Sequence, residues 1–379
     1  LDNAATSHPK PEAVHLAVMA ALQTGGNPGR GGHRLALAAG RQVLAAREAL
    51  AALLGAPDPA RVVFTSSCTD SLNLALKGLL RPGDHVITTA VEHNALRRPL
   101  AALEQQGVAV TWLPVGPAGL IDLIGLRAAI RPATKLIAVA HASNVSGIIQ
   151  PIADIGEIAA QTAVYLLVDA AQTAGAVPLD MAAMGIHMLA APGHKGLLGP
   201  QGTGILCVDP TVALRPIREG GTGSRSSEAA QPEIFPEGFE SGTLNVPGIA
   251  GLAAGAAFLQ AQGLEKVRRK EMALTGALAD GLRSIPGVTV YGPDDPTLRS
   301  NAVTFGVAGV DPGEVEELLD DEYGILGRAG LHCNPGCHAW LGTLPAGGAM
   351  RLSPGFATTA REIDEAVRAV RAVAAMRRG

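Results

Sequence analysis

Lys195 lies in a glycine-rich loop, APGHKGLLGPQGTGIL at 191–206, between the apolar runs IHMLA and GILCV. A surface lysine needs no explanation, but one inside such a loop does. Burial favours the neutral amine, and a neutral amine attacks carbonyls to form Schiff bases. The glycine spacing also admits a nucleotide-binding reading. Against it, the loop lacks the Gly-Lys-Ser/Thr order of a phosphate loop and does not sit between a strand and a helix. Asp169 ends the apolar run YLLV inside VDAAQTAG (168–175). A carboxylate there is costly to bury unless it is paired. A protonated pyridine nitrogen is one partner; a helix N-terminus or an arginine is the plainer alternative. Gln172 follows about one turn later.

Other polar residues recur at the ends of apolar runs. SSCTDS (66–71) stands where a strand passes into a helix. Its backbone N–H groups and hydroxyls suit an anion, with Thr69 as N-cap and phosphate ligand, although an ordinary N-cap explains it equally well. His93 in VEHN (91–94) and Asn144 in HASNVSG (141–147) are, each alone, more simply a structural histidine and a turn residue. RAGLHCNPGCHAW (328–340) holds Cys333, Cys337, His332 and His338. Both residue types bind metals, yet two cysteines in a Pro–Gly segment, with no second ligand cluster, make a poor metal site. Cys333 near Arg328 and His332 reads instead as an activated thiolate, or as a buried inert cysteine. Arg351, in GGAMRLSPG (347–355), suits two-pronged capture of a substrate carboxylate, or a structural ion pair.

The elements that must position these residues alternate along the chain. From about 60 to 210, strands at 61–67, 84–90, 108–114, 134–140 and 164–168 are separated by helical patterns at 69–80, 95–106, 122–130 and 153–162. On the first helix, Leu72, Ala75, Leu76, Leu79 and Leu80 share a face. Such alternation predicts an α/β fold with a mostly parallel sheet covered on both sides, binding ligands beyond the carboxyl ends of its strands. Residues 219–247 are polar, rich in Gly and Ser, and without a period, which is how a functional or disordered loop reads. Beyond it, 249–284, 312–322 and 360–377 read as helices and 287–291 and 301–307 as strands, an α+β pattern that suggests a second, smaller domain.

The chain has 379 residues, 47% of them hydrophobic, which is ample for two domains. A net charge of −4 and 3% aromatics exclude a basic or stacking footprint for nucleic acid. No apolar run reaches the ~18 residues that cross a bilayer, and no signal peptide is visible. Four cysteines in a chain this long are not a disulfide framework, so a reducing, cytoplasmic location is expected.

Taken in order, LDNAAT (1–6), EHN, HASNVSG, VDAAQ, GHKG with LGPQGTG, and RAGLHC resemble the class V aminotransferase family of pyridoxal phosphate (PLP) enzymes. The nearest likeness is to the NifS-like cysteine desulfurase and selenocysteine lyase branch of the Suf/Csd type. The resemblance implies fold type I: a seven-stranded, mostly parallel sheet between helices at 14–255, and a small α+β domain from 1–13 and 256–379. It implies that Lys195 carries PLP, that Asp169 keeps the pyridine nitrogen protonated, and that His93 stacks on the ring and is catalytic. It places Asn144 and Gln172 near the phenolic oxygen, and Cys68, Thr69 and His194 at the phosphate. Thr243 would reach the phosphate site of a neighbouring subunit, making a homodimer. Arg351, His33, Asn144 and Arg328 would bind the amino-acid substrate. Cys333 would take sulfur from L-cysteine as a persulfide, releasing alanine, and pass it to an acceptor protein, as in iron–sulfur cluster assembly. Within the same fold the alternatives are a selenocysteine lyase, an epimerase or a transaminase; outside it, a non-catalytic sulfur-carrier scaffold. Pro192 replaces a usual phosphate-binding Ser or Thr, Cys68 stands where Thr or Ala is common, SGTLN replaces SGTPN, and Cys337 has no assigned role.

Overall fold

A computed structural model describes residues 1–29 and 31–376. Seven strands form one sheet: β1 Val62–Thr65, β2 His85–Thr89, β3 Ala109–Leu113, β4 Thr134–Ala140, β5 Tyr165–Asp169, β6 Met188–Pro192 and β7 Gly204–Val208, in the spatial order β1-β7-β6-β5-β4-β2-β3. Only β7 runs against the others, pairing antiparallel with both β1 and β6. Leu136 and Ala138 of β4 face one hydrophobic cluster while Ile137 and Val139 face another. This alternation is the period-2 consequence of the pleat, and it explains why a strand buried on both faces reads as an unbroken apolar run.

The helices that cover the sheet are α1 Glu12–Thr24, α2 Arg34–Leu54, α3 Cys68–Leu79, α4 Asn94–Glu104, α5 Leu123–Ala129, α6 Ile152–Thr162 and α7 Val246–Gln262. Residues of α2, α6 and α7 pack on one face and residues of α3 and α4 on the other. The smaller unit joins α8 Leu264–Arg283, α9 Pro312–Tyr323, α10 Pro335–Leu341 and α11 Ala360–Met376 to the antiparallel sheet β10-β9-β8, built from Val288–Tyr291 (β8), Val303–Val307 (β9) and Met350–Leu352 (β10). Residue 377, expected to end the final helix, lies outside the described residues. Among the described residues no helix is long and apolar enough to cross a membrane.

Three expectations need correction. The single helical stretch at 249–284 is two helices, because Gly263 takes φ +79 between α7 and α8 and breaks the hydrogen-bond ladder. Ser67, not Thr69, caps α3: its hydroxyl accepts from the Asp70 N–H at 3.2 Å. The segment 334–341 is not only a Pro–Gly turn; Asn334 caps α10 and Pro335 opens it. The polar loop expected at 219–247 ends where α7 begins at Val246 and before it contains one short 3-10 turn, Glu237–Phe239. It is anchored by Glu240, whose carboxylate binds the buried Arg47 of α2 and accepts from the Phe64 N–H of β1 at 2.6 Å.

Candidate active site

The carboxyl ends of β1, β2, β4, β5 and β6 converge on one cleft. β1 delivers Ser67, Cys68 and Thr69; β2 delivers His93; β4 delivers Ser143 and Asn144; β5 delivers Asp169 and Gln172; β6 delivers Pro192, His194 and Lys195. This is where a mostly parallel sheet is expected to bind its ligand. Lys195 and Asp169, 26 positions apart in sequence (195 − 169), line the same space. Their strands pair directly, Asp169 opposite Ala190.

The lysine loop is pressed onto the turn that follows Asp169. A Cβ on Gly196 would lie 2.5 Å from the Ala174 carbonyl oxygen, and Gly175, at φ +82, would clash with Gly196 in return. Only glycines allow that approach, and it fixes Lys195 over β5. The N-terminal segment closes the loop from the other side. Ser7 Oγ donates to the Lys195 carbonyl at 2.8 Å, and Lys10 Nζ donates to the His194 carbonyl at 2.7 Å.

Burial lowers the Lys195 ammonium from its ordinary value, with Asp169 pulling it back. A buried amine poised between these influences is a competent Schiff-base nucleophile. Asp169 accepts from the Ala171 N–H at 2.9 Å, and the Cys68 Sγ is 3.5 Å from the same oxygen. Burial raises the Cys68 thiol well above its usual range, so it stays protonated and donates. Asp169 therefore keeps one carboxylate oxygen for an incoming cation. Below it, Glu92 is pushed up to about 8 by burial while accepting from Thr89 at 2.7 Å and from the Ala140 N–H at 3.0 Å.

His93 caps α4 through Nδ1, which accepts from the Ala95 N–H at 3.0 Å, so its neutral ring carries the proton on Nε2. Burial lowers its pKa, leaving a neutral ring in the cleft. His194 is lowered to about 4 by burial, then by Lys195 and Lys10, and is bonded through Nδ1 to Thr6. Gln172 donates to the Ala4 carbonyl at 3.1 Å.

The cysteine segment closes another side of the cleft through Asn334, which lines it. Asn334 Nδ2 reaches the Val91 carbonyl at 2.9 Å and the Asn144 Oδ1 at 3.2 Å. Asn144 Nδ2 in turn donates to the His332 carbonyl at 2.6 Å. The expected ligand-facing Asn144 thus also ties the cleft to the turn that carries Cys333. Cys333 is exposed, whereas Cys68, Cys207 and Cys337 are buried. Its Sγ is 3.9 Å from the Arg328 guanidinium. Asn334 is a residue the sequence reading missed, although Asn followed by Pro is a helix-start signal.

Arg351 is fully buried and ion-paired with Asp2 at 2.7 Å, while its Nη1 donates to the Asn144 carbonyl at 3.1 Å and its Nε has no partner. It stands beside the cleft rather than on its lining. His33 and Thr243 lie elsewhere on this chain. His33 is exposed and caps α2, accepting from the Ala36 N–H at 3.3 Å; Thr243 is exposed in the polar loop.

The donor set fits pyridoxal phosphate: an amine for its aldehyde, a carboxylate for its ring nitrogen, a histidine ring in the same cleft, and helix-start N–H groups with His194 for its phosphate. Pro192 lines the cleft without a hydroxyl, and Ser67 is present there instead.

The model of the aminotransferase class-V family matches residues 1–366. A probable cysteine desulfurase of Methanothermobacter thermautotrophicus is 34% identical over 96% of this chain and 91% of its own. The cysteine desulfurase IscS of Methanosarcina thermophila is 33% identical over 98% of this chain and 90% of its own. Among solved structures, the apo cysteine desulfurase of Thermococcus onnurineus superposes with a TM-score of 0.91 at 31% identity, covering 99% of this chain and 94% of that one. The cysteine desulfurase CsdA of Escherichia coli, in its S-sulfonic acid form, does so with a TM-score of 0.86 at 31% identity, again over 99% and 94%. With sequence, fold and the ordered cleft residues in agreement along nearly its whole length, the chain belongs to the class-V aminotransferase family, in the company of the cysteine desulfurases.

Proposed function

We propose that the chain is a PLP-dependent cysteine desulfurase that converts L-cysteine to L-alanine and collects the sulfur on Cys333. The observation that carries this reading is the cleft shared by Lys195 and Asp169, closed at one side by the segment bearing the exposed cysteine. Bound there, pyridoxal phosphate supplies an electron sink for the bonds at the substrate's Cα and Cβ.

The chain's own residues supply the rest. Lys195 would hold the cofactor and, as a buried amine with a lowered pKa, could take the Cα proton. Asp169 would keep positive charge on the ring nitrogen. His93 would cover the ring, and Thr69, Cys68, Ser67 and His194 would surround the phosphate end. Gln172 and Asn144 would flank the phenolic oxygen. Arg328 would offer the substrate carboxylate a positive charge, and Arg351 would join it by exchanging its fork from Asp2 and the Asn144 carbonyl to the substrate. The Cys333 thiolate attacks the substrate sulfur: an S–S bond forms, the Cβ–S bond breaks with its electron pair going to carbon, and that carbon takes up a proton. The products are alanine and a Cys333 persulfide, open to an acceptor thiol or protein.

Two copies complete the assembly in this reading. Leu16, Met19 and Leu22 of α1 and Leu37 and Leu44 of α2 are exposed, an apolar face that asks for a cover. The exposed loop carrying Thr243 would then serve the partner's phosphate site, and His33 would face the partner's substrate. The cytoplasm is the compartment that keeps such thiols reduced.

The test is mass spectrometry after exposure to L-cysteine. One added sulfur is expected on the peptide containing residue 333, with alanine formed. Cys333→Ser should keep the cofactor's colour and lose both. Undiminished alanine formation by that variant would reject the assignment.

A further inference from the structure

Beneath the turn that carries Cys333, three buried side chains form a single line of hydrogen bonds. His332 Nε2 is 2.9 Å from the Arg328 carbonyl, His332 Nδ1 is 3.2 Å from His338 Nε2, and His338 Nδ1 is 2.7 Å from Thr343 Oγ1. All three residues are buried. A carbonyl only accepts, so His332 carries its proton on Nε2 and presents a bare Nδ1. His338 must then donate from Nε2, which leaves its Nδ1 to accept from the Thr343 hydroxyl. Every proton in the line has one place, provided both rings are neutral. Burial ensures this by lowering His332 to about 3 and His338 to about 4, with Arg351 and Arg328 also opposing charge on His332.

The turn above needs holding. His332 and Cys333 both take left-handed backbone angles, φ 49 and 57, which side-chain-bearing residues adopt only under constraint. Its backbone is held by Asn144, which donates to the His332 carbonyl at 2.6 Å, and by the Asn94 N–H, which donates to the Cys333 carbonyl at 2.9 Å. The histidine line adds an anchor from the small sheet. The Arg328 carbonyl that accepts from His332 also accepts from the Arg351 N–H of β10 at 2.8 Å. The same residue, Arg328, sends its guanidinium to the Cys333 sulfur.

We propose that His332, His338 and Thr343 are positioning residues for sulfur transfer, their fixed-proton line locking the turn that holds the Cys333 thiol against Arg328. The inference rests on Cys333 being the sulfur acceptor. None of the three lines the cleft, which they reach only through the turn they hold. Removing the line should slow sulfur capture without weakening the Michaelis complex.

The test compares holoenzyme variants in L-cysteine turnover. His338→Leu should lower kcat at least tenfold, with KM for cysteine within twofold and the cofactor's absorbance unchanged. His338→Gln, which restores a donor toward His332, should recover most of the loss. Thr343→Val, which removes one hydroxyl at nearly constant shape, should give a smaller drop in kcat in a protein that folds normally. Wild-type kcat in both His338→Leu and Thr343→Val overturns the proposal, as does an equal loss in His338→Gln and His338→Leu. If His338→Leu does not fold, Thr343→Val decides alone: a reduced kcat at unchanged KM supports the line, and an unchanged kcat overturns it. Cys333→Ser run alongside separates the two claims. Full turnover there would reject the sulfur acceptor itself, whereas an inactive Cys333→Ser beside fully active His338→Leu and Thr343→Val would reject only the line.

Discussion

At the scale of the residue, the four cysteines divide by environment. Burial raises the thiols of Cys68 and Cys337 and pushes Cys207 up to about 12. Cys333 is exposed and faces a guanidinium. Only a thiolate that a reagent can reach reacts quickly. Iodoacetamide should therefore modify one of the four in the native protein, on the peptide containing residue 333, and all four once the chain is unfolded. Rapid native labelling of Cys68 would contradict the cleft as described. Lys195 and Asp169 were legible in the sequence because each breaks an apolar context, and burying a charge demands a partner. The roles of His332 and His338 were not. As types and spacings they suggested a metal or an activated thiol, and their hydrogen bond is made beside a turn in which residues 332 and 333 are left-handed, which no pattern of side chains announces. Asn144 was read as ligand-facing, yet its amide is engaged by the cysteine turn, a contact spanning 188 positions.

At the scale of the element, the strands and helices expected between 60 and 168 end within about two residues of the observed bounds, whereas β6 and β7 stood in the sequence only as the apolar runs flanking the lysine loop. The first two helices were passed over, although RLALAAGRQVLAAREALAALL is rich in the best helix formers. The α7–α8 break was hidden because one glycine in a long helical pattern is usually tolerated, and only its positive φ shows that this one ends the ladder. The small sheet depends on its middle strand. Phe305 of β9 is wholly buried among Leu278 and Leu282 of α8 and Val370 and Val373 of α11. Phe305→Ala should cost about 3–5 kcal/mol, the usual range for emptying an aromatic site in a packed core. Urea unfolding should show a lower midpoint at unchanged slope. A loss below about 1 kcal/mol would mean that the cluster closes over the gap, and that β9 is not the element on which this unit packs.

At the scale of the whole molecule, buried ionisable groups set how stability depends on pH. His141, His194 and His338 are lowered to about 4 and His332 to about 3, burial being the leading cause in each. As pH falls through 6.5 these four take up protons in the unfolded chain, while in the folded chain they take up none until about 4; His85, His93 and His187, also lowered chiefly by burial, act in the same direction. Acid therefore favours unfolding across that window. Glu92 and Glu271 have the opposite sign. Burial holds both at about 8, so the folded chain keeps two protons that the unfolded chain releases above 4.5. Rising pH therefore costs stability until about 8. Between the two carboxyls and the four histidines the larger number wins below about pH 6.5, and the carboxyls win above it. Near pH 8 the decline should stop, because Lys10, lowered to about 8, begins to release a proton that the unfolded chain keeps. Thermal midpoints of the cofactor-free protein, at constant ionic strength, should peak near about pH 6.5 and fall on both sides. Glu271→Gln tests the alkaline arm separately, since it removes one of the two retained protons and should flatten the decline between about 6.5 and 8 by roughly half. A midpoint that climbs steadily from acid to pH 8 would mean that Glu92 and Glu271 are ionised in the folded chain, with Arg268 and Lys270 outweighing burial at Glu271.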